Sequence, residues 1–140
     1  MMETLKPEHI NYKELILKIM PMPADANVNG DVFGGWIMSQ IDLAASVPAT
    51  KVASGRVATV AINSMQFISA IKIGDLVNIF ARIIKTGRTS ITVSVTVYTE
   101  KRPFQNNLIK AAEAVLTFVA TDNNGKSRIL PSLENKNDTN

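Results

Sequence analysis

The segment from Gly34 to about Ala53 constrains the fold of this chain more than any other. It reads GGWIMSQIDLAASVPATKVA, long, alanine-rich and apolar on more than one face. A surface helix carries one apolar stripe, so this composition predicts a buried central helix instead. Pro48 lies inside the segment, where its ring removes one backbone N–H and crowds the carbonyl of Ala44. The expectation is a kink or an early end near Val47, with a break into two segments as the competing outcome.

What remains to cover that helix is almost all strand. Residues 12–20 (YKELILKIM) mix apolar and charged positions, stop at Pro21 and read as a first strand. Residues 21–33 form a loop rich in Pro, Asn, Asp and Gly. Four strand-like runs follow the helix: Arg56 to Phe67, a run opened by Gly74-Asp75 and reaching about Lys85, the run through Ile91–Tyr98, and Leu108 to Thr121. Ile91, Val93, Val95 and Val97 alternate with Thr92, Ser94, Thr96 and Tyr98, the pattern of a strand with one buried face. Thr86-Gly87-Arg88 reads as a tight turn in which glycine supplies a positive φ. The order predicts an α+β domain over residues 12–131, a curved antiparallel sheet of about five strands wrapped around one long helix. Residues 1–11 form a polar lead-in, and residues 132–140 lack apolar content and are expected to be disordered. The sheet has an open edge, for which pairing with another subunit is the natural cover.

The totals exclude several chemistries. The chain of 140 residues holds no cysteine, so there is no disulfide, thiol nucleophile or thiolate metal site. Its one histidine, His9, lies in the polar lead-in, which rules out a multi-histidine metal centre and leaves acid–base work mainly to carboxylates. The first 20 residues carry six charged side chains, from Glu3 to Lys18, so no signal-peptide core is expected there. No apolar run approaches the ~20 residues that cross a bilayer. A cytoplasmic protein without membrane contact is the expectation. The net charge of +3 suits an anionic small ligand. Basic residues are scattered and aromatics are 6%, which argues against nucleic acid.

The chemistry concentrates where the loop meets the helix, at Asn27-Val28-Asn29-Gly30-Asp31-Val32-Phe33-Gly34-Gly35-Trp36. Glycines allow close backbone approach, and a helix start presents free N–H donors with partial positive charge. One carboxylate, Asp42, sits between Ile41 and Leu43 in the apolar helix, where it is costly unless paired or used. Asp42 is therefore expected to activate water or to attack an activated carbonyl itself, with amides near Gly34 and Gly35 stabilising the oxyanion. Gly35 and Asp42 share a helix face but stand ~10 Å apart along the axis, which favours donors from a neighbouring subunit. The plainer alternative pairs Asp42 with a basic side chain such as Arg56. Asp31 and Asn29 either cap the helix or orient the water or the activated carbonyl. Asp25, Asn27 and Asn29 imitate the start of an EF-hand loop. Its ninth and twelfth positions are Phe33 and Trp36, so calcium is not expected, nor any other metal. Trp36 and Phe67 read as core in preference to ligand contacts, and Glu113 as a structural partner of a lysine across the sheet.

Asn29-Gly30-Asp31-Val32-Phe33-Gly34-Gly35-Trp36-Ile37-Met38, followed by Asp42, closely resembles the hotdog-fold acyl-CoA thioesterases of the short bacterial YciA type. The resemblance continues through Gly55-Arg56-Val57-Ala58-Thr59-Val60-Ala61, Met65, Phe67, Gly74-Asp75, Lys85-Thr86-Gly87-Arg88-Thr89-Ser90 and Ala112-Glu113-Ala114. It implies a hotdog fold and hydrolysis of acyl-CoA to a free acid and CoA, without a metal or other cofactor. It also implies a homo-oligomer, a hexamer built as a trimer of dimers, with active sites between subunits. Asp42 would be the catalytic carboxylate, faced by Asp31 of a partner subunit. Lys85, Gly87, Arg88, Thr89 and Ser90 would hold the phosphates or pantetheine of CoA, with Arg56, Lys126 and Arg128 as further phosphate contacts. Thr59 and Asn63, on a half-polar strand, are expected to line the cleft. Pro48, Ser54 and Ala70 depart from the family pattern, which bears on substrate preference. A hydratase on the same fold is the first rival, but it needs a histidine beside the carboxylate. A non-catalytic acyl-CoA-binding module is the second.

Overall fold

The structure, a computed structural model, describes residues 3–104 and 107–131. Its elements in chain order are β1 (Thr4–Leu5), β2 (Leu15–Ile19), α1 (Gly34–Ala53), β3 (Val57–Phe67), β4 (Leu76–Thr86), β5 (Ser90–Glu100) and β6 (Leu108–Ala120), with 3₁₀ turns at Pro7–His9 and Pro23–Asp25. All strand pairs are antiparallel. The sheet runs β2-β4-β5-β6, and the far edge of β6 is shared by β1 at its start and β3 along the rest. The expected five strands are therefore present. The lead-in adds a short sixth, because Thr4 and Leu5 pair with Ile109 and Leu108. The expected disordered tail, residues 132–140, lies outside the described residues.

The alternation in β5 is realised: Ile91, Val93, Val95 and Val97 are fully buried against the helix side. Ala112, Ala114, Leu116, Phe118 and Ala120 of β6 and Val77, Ile79 and Ala81 of β4 complete the concave face. Onto it α1 lays Ile37, Ile41, Ala44, Ala45, Ala49 and Ala53, a stripe whose alanines let helix and sheet approach closely. The helix is not buried all round, however. Met38 and Leu43 are exposed on the side the sheet does not reach. Nor does Pro48 end or break it, since α1 continues to Ala53 as one 20-residue helix.

Two other expectations change. Gly87 does not take a positive φ. It is small because a Cβ there would stand 2.5 Å from the Ser90 hydroxyl, across a turn closed by the Gly87 N–H on the Ser90 carbonyl at 2.8 Å. Glu113 pairs with a lysine of its own strand, Lys110, at 2.7 Å. The register skips Ala111 between Tyr98↔Lys110 and Val97↔Ala112. That bulge puts two residues of odd separation on one face. The hydrogen bond to Glu113 holds the Lys110 ammonium above the ordinary lysine range.

Candidate functional site

The loop before α1 is shaped by its own asparagine. The Asn27 side-chain oxygen accepts the N–H groups of Asn29 (2.9 Å) and Asp31 (3.2 Å), and Gly30 turns the chain at φ 80°. Backbone bonds from Val32 to Ile71 (2.8 Å) and from Ile73 to Gly30 (3.3 Å) then pin residues 30–32 against 71–73. Asp31 and Asn29 do not cap the helix. The N-cap position is Phe33, with no side-chain cap. The carboxylate of Asp31 pairs instead with Lys72, whose own N–H is held by the buried Asp75 at 2.8 Å. The N–H groups of Gly34 and Gly35 have no acceptor among the described residues.

Beside this first turn lies a cleft of about 340 Å³, with Asp31, Gly34, Ile37, Phe67 and Ile71 in its walls. Phe67 is half exposed rather than core, and its ring lies against Gly34, 3.3 Å from where a Cβ would stand. Trp36 is the aromatic that packs on the core.

Asp42 sits on the flank of α1, between the buried stripe and exposed Leu43. Among the described residues it has no basic partner, and it is not paired with Arg56. Its Oδ1 accepts the Thr59 hydroxyl at 2.7 Å. Thr59 faces the helix because it stands opposite Phe118 in the β3–β6 register. Asn63, four residues on, does not share that side. Two register shifts, at Thr59/Ala61 and Ile62/Ser64, break the alternation, and Asn63 accepts the hydroxyl of Thr117 at 2.7 Å. Thr117 is paired with Thr92, on the sheet's polar outer face.

The basic candidates gather around the C-terminal end of α1. Arg56 donates to the Asn123 carbonyl (2.9 Å), and Arg128 donates to the carbonyls of Thr121 (2.8 Å) and Arg56 (3.2 Å). The β4–β5 turn joins them through Thr89, whose carbonyl accepts from Ala120, and Arg88, whose carbonyl accepts from Leu130. Lys85 near the end of β4, Gly87 in the turn, Ser90 at the start of β5 and Lys126 in the turn after β6 lie beside these groups along the chain. This basic end and the first turn of α1 are separated by the helix, ~30 Å. Asp42 lies between them. One chain thus holds the carboxylate, the free amides and the basic rim at three stations along α1. Lys72 is a site feature that the sequence did not announce, and Phe67 is one that the sequence read as core.

Comparison with known proteins fits this geometry. The Thioesterase superfamily matches residues 29–103. The acyl-CoA thioester hydrolase YciA of Salmonella typhimurium is 43% identical over 120 residues, spanning 84% of this chain and 90% of that protein. A hexameric thioesterase from Yersinia pestis superposes with a TM-score of 0.79 at 47% identity, covering 84% of this chain and 95% of the other. An acyl-CoA hydrolase from Staphylococcus aureus, solved with butyryl-CoA and CoA, gives 0.77 at 33% identity, covering 81% and 69%. The chain belongs to the thioesterase superfamily, with the hotdog fold, and within it to the YciA type of acyl-CoA thioester hydrolases.

Proposed function

We propose that this protein hydrolyses acyl-CoA thioesters to a carboxylic acid and CoA, with Asp42 as the acting carboxylate. The observation that carries this is the Asp42–Thr59 pair, an acidic side chain in an apolar helix that is met by a hydroxyl and, among the described residues, by no cation. With Oδ1 bonded to Thr59, Oδ2 remains to take the proton of a water attacking the thioester carbon. Collapse of the tetrahedral intermediate breaks the C–S bond, and the proton leaves with the thiol. Attack by the carboxylate itself, through an acyl anhydride, uses the same residues. The S. aureus hydrolase has also been solved with an aspartate and, seventeen positions later, a threonine each changed to alanine. Asp42 and Thr59 have the same separation of seventeen.

The amides of Gly34 and Gly35 serve as oxyanion donors. They stand ~10 Å along the axis from the Asp42 of their own chain, so each site combines Asp42 of one subunit with the glycine turn of another. The assembly is accordingly a homo-oligomer, a hexamer as in the Yersinia pestis relative, arranged as a trimer of dimers. Arg56, Lys85, Arg88, Lys126 and Arg128 form a basic rim for the phosphates of CoA. The reaction asks for no metal or further cofactor.

The test is thiol release from acyl-CoAs of several lengths by wild type and Asp42→Asn. With no cysteine in the chain, a thiol-reactive dye reads product without background. The variant is expected to lose at least about a hundredfold in kcat while still binding CoA. Binding without turnover in wild type would instead identify a carrier or sensor.

A further inference from the structure

Phe67 is the last residue of β3, opposite Ala112 on the helix side of the sheet. The backbone just beyond it is fixed, since Ile68 and Ser69 both donate to the Ala111 carbonyl, at 2.8 and 3.2 Å. The side chain is less confined than the backbone. It is about half exposed, with 53% of its surface accessible, and its ring meets Gly34, which has no side chain to hold it. Rotation about the Phe67 side-chain bonds would therefore widen or narrow the cleft beside the first turn without moving the strand.

That cleft suits an acyl chain. Val32, Ile37, Ile68, Ala70 and Ile71 line it together with the ring. Asp31, the one carboxylate among the described residues lining it, is taken by Lys72. The basic groups suited to CoA phosphates lie at the other end of α1, ~30 Å away. A thioester carbonyl held on the Gly34 and Gly35 amides would send its alkyl chain into this adjoining apolar space. Its volume of about 340 Å³ is near the lower end of ordinary ligand pockets, roughly 300–1,000 Å³.

We propose that Phe67 is the acyl-chain selector of this enzyme, its ring forming the movable wall that sets how long a chain the cleft accepts. The proposal rests on the thioesterase reading above. Glycine at position 34 is part of the same device, because a Cβ there would press on the ring.

The experiment is kcat/KM for acetyl-, butyryl-, hexanoyl-, octanoyl- and palmitoyl-CoA with wild type, Phe67→Ala and Phe67→Trp. Each additional methylene buried is worth about fourfold in binding. Phe67→Ala is therefore expected to raise the ratio of long-chain to short-chain kcat/KM by about tenfold, and Phe67→Trp to lower it. Should the alanine variant fail to fold, Phe67→Leu is expected to give a smaller shift in the same direction. Variants that change all lengths by one common factor, or not at all, overturn the selector while leaving the hydrolase intact. A wild type silent on every acyl-CoA overturns both. A second readout is the loss caused by Gly34→Ala, which should grow with chain length in wild type and lose that dependence in Phe67→Ala.

Discussion

Thr59 gives Asp42 a fixed orientation through one hydrogen bond to Oδ1. Hydrogen bonds to charged groups are worth ~1.5–3 kcal/mol when shielded, and the pair here is partly open to solvent, so the lower end applies. Thr59→Ala is expected to lower kcat about tenfold with little change in KM, and Thr59→Ser to restore most of the loss. Steady-state kinetics on one acyl-CoA measures both. Equal losses in the alanine and serine variants would show that the methyl group matters and the hydroxyl does not. Asp42 was legible in the sequence because a lone carboxylate between Ile41 and Leu43 has no structural reason to be there. Its partner was not. Thr59 and Asn63 have the same strand parity, and only two bulges within a few residues send one to the helix and the other to the outer face. The Asp31–Lys72 pair was equally hidden, because 41 residues separate two groups that a backbone bridge brings side by side.

At the scale of elements, α1 shows how tertiary packing overrides local preference. A proline in a helix interior costs ~3 kcal/mol. Ala44, Ala45, Ala49 and Ala53 are fully buried on both sides of Pro48, however, so stopping at Val47 would uncover the last turn of the core. The hydroxyl of Ser46 also bonds the Leu43 carbonyl at 2.6 Å. The sequence showed the proline and not the sheet that outweighs it. The helix ends at Ser54, a non-glycine residue at φ 52°, whose N–H and that of Gly55 close back on Lys51 and Thr50. Glycine adopts that left-handed conformation without the clash that a side chain brings. Ser54→Gly is expected to stabilise the protein by ~1 kcal/mol, read as a higher urea midpoint with an unchanged slope. By contrast, β5 was legible residue by residue, because burial on one face imposes a strict period of two.

At the scale of the molecule, one chain leaves its helix half covered and its longest edge open. Val60 and Ile62 are exposed on β3, an 11-residue strand that among the described residues pairs with β6 alone, while Met38 and Leu43 face outward from α1. An exposed edge flanked by apolar side chains is what a second copy covers. The sequence carried this as an excess of apolar residues around α1. It also implied an open sheet edge suited to another subunit, but it read α1 as buried all round and did not show that one side of the helix is left outside its own sheet. Ile62 is 43% exposed in the single chain, so a lysine there can send its ammonium to solvent without unfolding the monomer. In an assembled edge the same ammonium would be desolvated against apolar neighbours, at a cost of several kcal/mol. Ile62→Lys is therefore expected to dissociate the assembly in sedimentation velocity while keeping the far-UV spectrum of the folded chain. Activity should fall by more than about tenfold with it, because Asp42 and the glycine amides it needs stand ~10 Å apart within one subunit. Raising protein concentration should recover part of both. Full activity from a dispersed monomer would mean that a single chain bends its first turn far enough to bring its own amides to its own Asp42.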